Sequence, residues 1–154
     1  MNKPEKIAYL FVYGTLLHDA NHPQSNILKR YGKAKGKAVF RGKLYDVGSY
    51  PAAIASKDET DEVFGEVYKL TRPEFVFEKL DIYEGYFPGK IEKSDYIRKK
   101  VTISCFEEET TLKAWTYLYN KSVDKLPPIS NGKYLDYLRS KYPLAIILSL
   151  LDGL

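Results

Sequence analysis

The sequence has one cysteine, Cys105, so no internal disulfide can staple the fold, and no histidine lies near it in sequence to activate its thiol. An inert thiol in an alternating, strand-like stretch is the reading that follows, and with it a reducing, cytoplasmic setting. Histidine is almost as scarce. His18 and His22 lie together in a polar stretch without a Cys/His cluster, so the spacing of a metal centre is missing. No serine stands in the glycine-flanked elbow of a Ser-His-Asp hydrolase. Gly14 is followed by neither the second glycine nor the Lys-Ser/Thr pair of a phosphate-binding P-loop.

Charge of one sign is lacking too. The 24 basic and 20 acidic residues are spread along the chain and leave a net +4, with no basic arm or stripe for nucleic acid. Met1 to Lys6 is polar and lacks the basic-then-apolar order of a secretory signal. The apolar run from Leu144 to Leu151 is far shorter than the roughly 20 residues that span a bilayer, so no membrane partner is expected. That run fits a helix packed on the core or a homodimer surface equally well.

What is present is enough for one core. With 154 residues and 44% apolar content, the chain reads as a single domain over 1–154, with a C-terminal helix at 144–151 as an appendage. Strands are predicted at Ile7 to Val12, Ala34 to Tyr45, Ala52 to Ala55 and Val63 to Leu70, with Gly36 and Gly42 as bends or bulges in the second. A short helix is predicted over Ser25 to Tyr31. Thr71-Arg72-Pro73-Glu74 has the form of a capping box, with Thr71 as the cap of a second helix. On that helix Val76, Leu80 and Glu84 share a buried stripe, whereas Glu78 and Asp81 face more toward water.

Two strands follow. From Tyr96 to Phe106, Ile97, Val101, Ile103 and Cys105 recur with period two, and Arg98, Lys100, Thr102 and Ser104 take the opposite face. Leu112 to Tyr119 is the expected antiparallel partner, with Trp115, Tyr117 and Tyr119 on one face and Leu112, Ala114, Thr116 and Leu118 on the other. A helix from Asn131 or Gly132 to Lys141 comes next. Strands in runs, without regular alternation with helices, predict an α+β domain around a small mixed, mostly antiparallel β-barrel flanked by helices.

Two stretches invite chemistry. Strand-forming residues from Ile7 run into Tyr13-Gly14-Thr15-Leu16, where a glycine lets the backbone approach a ligand. Leu80-Asp81-Ile82-Tyr83-Glu84-Gly85-Tyr86 offers a carboxylate among apolar neighbours. Desolvation there would raise the Glu84 pKa toward the range where it both takes and returns a proton, although a solvated or structural glutamate at a helix end remains the alternative. Tyr50 and Pro51 sit in a turn, either lining a pocket or covering the core. Glu66 reads as a solvent-facing or salt-bridged strand acid, and Trp115, Tyr117 and Tyr119 as packing aromatics rather than a base-stacking platform.

Five segments stand in order: Phe11-Val12-Tyr13-Gly14-Thr15-Leu16, Gly48-Ser49-Tyr50-Pro51-Ala52, Gly65-Glu66-Val67-Tyr68, Leu80 to Tyr86, and Ala114-Trp115-Thr116-Tyr117-Leu118-Tyr119. Together they resemble the motif series of the gamma-glutamylcyclotransferase-like family, over residues 7 to about 135, and within it the branch of gamma-glutamylamine cyclotransferases and avirulence-induced proteins. The resemblance implies a small mixed barrel, no metal and no cofactor. It also implies conversion of a small-molecule gamma-glutamyl amide to 5-oxoproline and a free amine, with Tyr13, Gly14, Thr15 and Leu16 as the substrate cradle and Glu84 as general base and acid. A non-catalytic relative that keeps the pocket as a binding module is the alternative. One segment departs from the family pattern: Ile129-Ser130-Asn131-Gly132-Lys133-Tyr134 has lysine where relatives often carry an acid after Ser-Gly, which leaves the amine half of the substrate open.

Overall fold

The computed structural model of the chain describes residues 7–14 and 25–141; Thr15, Leu16, the two histidines and the 144–151 helix lie outside that range. Its elements are β1 (Ala8–Val12), α1 (Ser25–Tyr31), β2 (Gly32–Asp46), β3 (Pro51–Ala55), β4 (Glu62–Leu70), α2 (Pro73–Glu84), β5 (Tyr96–Cys105), β6 (Thr110–Tyr119) and α3 (Tyr134–Lys141). One turn of 3-10 helix, Ile91–Lys93, precedes β5.

The strands form one sheet in the order β3-β2-β4-β1-β6-β5, and β2 also pairs with β5, closing five of them into a barrel. All pairings are antiparallel except β1 with β6, where Leu10 stands opposite Trp115. Closure depends on the 15-residue length of β2. Its Ala38–Phe40 segment holds β4 on one edge and Ile103–Cys105 of β5 on the other, and beyond Gly42 it leaves β4 to pair with β3. The bulge expected at Gly36 is real: the register with β4 shifts between Ala34 and Gly36, and Gly36 takes φ 127.

Period-two alternation sends the side chains of each strand into two cores. Phe11, Phe40, Val63, Ile103, Ala114 and Leu118 fill the barrel interior. Leu10, Val12, Tyr68, Tyr96 and Tyr117 point outward and are covered by Leu28 of α1 and by Val76, Phe77 and Leu80 of α2. β1 is thus buried on both faces, which is why it reads as an unbroken apolar run. Each large side chain so buried stabilises the fold by roughly 1.5–3 kcal/mol relative to exposure.

The start of α2 differs from the expected capping box. Thr71 does not cap the helix; its hydroxyl donates to the carbonyl of Tyr31 at 2.9 Å, and its backbone N–H donates to the same oxygen at 2.7 Å. Arg72 occupies the N-cap position in a left-handed conformation with no side-chain cap, and Pro73 opens the helix. Tying the end of α1 to the end of β4 has displaced the local motif. The helix expected from Asn131 or Gly132 to Lys141, α3, begins at Tyr134, because Gly132 stands at φ 67 in the turn before it.

Candidate active site

α2 stops where the site begins. Gly85, at φ 68 and ψ 37, ends it in the left-handed region, and the N–H groups of Gly85 and Tyr86 donate back to Ile82 and Asp81 at 3.1 and 2.8 Å. A residue with a β-carbon is poorly suited there, and the cap leaves Glu84 as the last helical residue. Leu80 and Val76, one and two turns earlier on the same stripe, are fully buried. Glu84 continues that stripe past the edge of the core into a pocket.

The pocket, about 370 Å³ in volume, collects residues from five parts of the chain. Phe11, Val12, Tyr13 and Gly14 come from the end of β1, Tyr50 and Pro51 from the β2–β3 turn, and Ile82 to Gly85 from the end of α2. Asp95 and Tyr96 enter with β5, and Tyr117 enters from β6. Gly14 is needed for a steric reason: a β-carbon on it would stand 2.6 Å from Cγ of Pro51. The chain therefore brings the end of the Tyr13-Gly14 turn and the Glu84 carboxyl to the walls of one cavity. Tyr50 and Pro51 line that cavity rather than only covering the core.

Electrostatics set Glu84 apart from the other acids. Burial pushes its carboxyl from an ordinary 4.5 up to about 8. The partial negative charge at the C-terminal end of α2 acts in the same direction. Its charge reaches three phenols around it, Tyr13, Tyr96 and Tyr117, each of which burial already holds protonated. Tyr13 turns its side chain into the barrel core, where its hydroxyl donates to the carbonyl of Tyr117 and accepts from the Ala53 N–H. Tyr96 donates to the carbonyl of Pro51 at 2.6 Å and so holds the β2–β3 turn against the pocket.

Asp81 is where sequence reasoning missed. It was expected to face water, yet it is half-buried, taking Arg98 Nε at 2.9 Å and Arg98 Nη2 at 3.2 Å while accepting the Tyr117 hydroxyl at 2.7 Å. Arg98 was assigned to a polar strand face, and it does point away from the barrel interior. α2 covers that face, leaving the guanidinium over the rings of Phe77 and Trp115 at 4.2 and 4.9 Å. Glu78, by contrast, is exposed as expected.

Among the described residues, no group of three or more His, Cys, Asp or Glu side chains is placed to hold a metal ion, and no helix is long and apolar enough to cross a membrane. Cys105 is half-buried in β5, and burial raises its pKa, so the thiol stays protonated. Lys133, the departure from the family pattern, is exposed over the ring of Phe64 at 5.0 Å and does not line the pocket.

A protein-family model described as gamma-glutamyl cyclotransferase, AIG2-like, matches residues 10–136. The Escherichia coli K12 protein described as gamma-glutamylcyclotransferase family protein YtfP is 26% identical over 127 residues, covering 82% of this chain and 96% of its own length. Among solved structures, an AIG2-like protein from Mus musculus superposes with a TM-score of 0.61 at 18% identity, over 84% of this chain and 89% of the other. YkqA from Bacillus subtilis superposes with a TM-score of 0.66 at 20% identity over 88% of this chain, which spans only 42% of that longer protein.

Proposed function

We propose that this chain, which belongs to the gamma-glutamyl cyclotransferase, AIG2-like family, converts a gamma-glutamyl amide to 5-oxoproline and a free amine, with Glu84 as the acid/base group. The observation that carries the reading is the meeting, in one pocket, of a carboxyl shifted to about 8 with the glycine turn that ends β1. The backbone of Tyr13 and Gly14, with Thr15 and Leu16 after them, is the proposed cradle for the gamma-glutamyl group.

The steps follow from those groups. The Glu84 carboxylate takes a proton from the substrate α-ammonium, and the neutral amine attacks the γ-carbonyl carbon to close a five-membered ring. Glu84 then gives that proton to the departing nitrogen and takes a second from the ring nitrogen. The tetrahedral oxyanion collapses, the original C–N bond breaks, and the freed amine takes up the second proton from Glu84 as it leaves with 5-oxoproline, which restores the carboxylate. A carboxyl near 8 suits both halves, since a base that is too weak cannot start the cycle and an acid that is too strong cannot hold the proton. The attack is intramolecular, so much of the protein's part is to hold the substrate folded. Backbone N–H groups near Gly14 can in addition stabilise the oxyanion, an effect worth up to about 4 kcal/mol per donor in other enzymes. A chain with a single cysteine, which can form no internal disulfide, fits the cytoplasm as the setting.

The test is release of 5-oxoproline from a panel of gamma-glutamyl amides by the protein and by Glu84→Gln. Turnover by the first, lost by at least about a hundredfold in the second with the fold intact, is the expected result. Equal turnover by Glu84→Gln overturns the role of Glu84. Saturable binding across the panel without turnover by the unaltered protein replaces the enzyme reading with a binding module.

A further inference from the structure

The two ends of the pocket differ in chemistry. Its inner end is lined by the buried residues Phe11, Val12 and Tyr117 beside Gly14. At its outer end stand Ile82, 70% exposed, and Tyr50, 42% exposed. A single exposed isoleucine is ordinary, but two large apolar side chains on the rim of one cavity are less so. The loop between pocket-lining Gly85 and Asp95, whose ends are tied by the Asp95 N–H to the Gly85 carbonyl at 3.0 Å, carries Phe87 and Ile91, both exposed.

Little uncompensated charge stands on the described residues that line the cavity. The described residues that line it include no Lys, Arg or His, and their acids are Glu84 and Asp95. Asp95 is already paired with Lys121 at 2.6 Å.

We propose that this rim is the subsite for the amine half of the substrate and that it selects a hydrophobic, uncharged amine, aromatic or branched aliphatic, over an amino acid or peptide. The inference rests on the cyclotransferase reading. Glu84 must reach the nitrogen that leaves, so the substituent on that nitrogen lies against the cavity wall beyond Glu84, to which Ile82 and Tyr50 both contribute. The Tyr50 ring, set edge-on to Tyr96 with centroids 6.2 Å apart, offers a face for an aromatic group. The described lining residues offer no cation of their own to hold a carboxylate on the amine half, and Asp95 has its charge matched by Lys121, so neither a carboxylate nor a second ammonium meets an uncompensated opposite charge there.

The experiment compares kcat/KM for γ-glutamylbenzylamide and γ-glutamylisopentylamide with that for γ-glutamylglycine and γ-glutamylalanine, read as 5-oxoproline. A preference of about tenfold or more for the hydrophobic amides is expected, the scale on which apolar pockets discriminate. Ile82→Ser and Tyr50→Ala, both at exposed positions, should each narrow that ratio by about threefold or more while the circular dichroism spectrum stays unchanged. Equal or better turnover of the amino-acid conjugates overturns the amine preference alone. An unchanged ratio in both variants overturns the rim as its source. No 5-oxoproline from any of the four compounds overturns the cyclotransferase reading and this inference with it.

Discussion

Gly14 and Pro51 are in such close contact that a β-carbon on Gly14 would lie 2.6 Å from Cγ and 3.0 Å from Cδ of the proline ring. Pro51 is rigid and is itself held from behind, because its carbonyl accepts the Tyr96 hydroxyl at 2.6 Å. The β1 turn and the β2–β3 turn are thus fitted to each other on the wall of the pocket. Gly14→Ala must push one of them away. The expected result is a folded protein destabilised by about 1–3 kcal/mol, with a raised KM for any gamma-glutamyl ligand, read by chemical denaturation and steady-state kinetics.

Asp81 makes a second prediction. Its carboxylate takes two guanidinium hydrogen bonds from Arg98 and one from the Tyr117 hydroxyl, all under α2. Removing the acid leaves Arg98 half-buried without its charge partner, and a desolvated charge is costlier alone than paired. Asp81→Ala should cost about 2 kcal/mol in urea denaturation, with the cost reduced because both side chains keep some contact with water. Arg98→Lys should recover little of an Arg98→Ala loss, since lysine cannot form the two-pronged bond or stack on Phe77 and Trp115.

Much of this architecture was legible in the chain. β6 alternates as written, with Ala114 and Leu118 inside the barrel and Trp115, Tyr117 and Tyr119 under the helices, because a strand's period leaves no other arrangement. The stripe of Val76, Leu80 and Glu84 was legible for the same kind of reason. Asp81 and Arg98 were not. Their polarity reads as solvent exposure on each element taken alone, and their pairing depends on α2 packing across β5, which no local pattern encodes. Arg98 did leave a trace, as a guanidinium on a strand face otherwise bearing Lys100, Thr102 and Ser104. Thr71 shows the converse, a local motif overridden by a tertiary hydrogen bond to Tyr31.

Asp46 links the third helix to the pocket. Burial opposes its ionisation, but hydrogen bonds from Lys141 at 2.5 Å, Tyr137 at 2.6 Å and the Gly48 N–H at 2.7 Å outweigh that and hold the carboxyl below the ordinary carboxylate range. A carboxyl depressed in the folded state contributes stability above its unfolded pKa and loses that contribution as pH falls through its folded pKa. Asp46→Asn should therefore destabilise at pH 7 by about 1–2 kcal/mol and by progressively less below pH 4, measured as thermal midpoints across that range. The same variant should loosen the turn carrying Ser49 and Tyr50, which Tyr134 also holds through its hydroxyl to the Ser49 carbonyl at 3.3 Å.

Glu84 has the opposite sign. Its folded-state pKa, raised from 4.5 to about 8, means that the folded protein binds the proton more tightly than the unfolded chain does. Stability is then greatest below about pH 4.5 as far as this group is concerned, falls between 4.5 and 8, and levels off above 8. Glu84→Gln removes that fall. The variant should match the unaltered protein near pH 4.5 and exceed it by about 1 kcal/mol or more at pH 8.5, allowing for partial solvent access to the carboxyl. Activity should move the other way: log kcat/KM should climb with unit slope up to an apparent pKa near 8, as the carboxylate that accepts the ammonium proton becomes populated. A stability that is flat with pH, alongside a rate profile breaking near 4.5, would mean that the carboxyl sits in water and does not meet the substrate in the pocket.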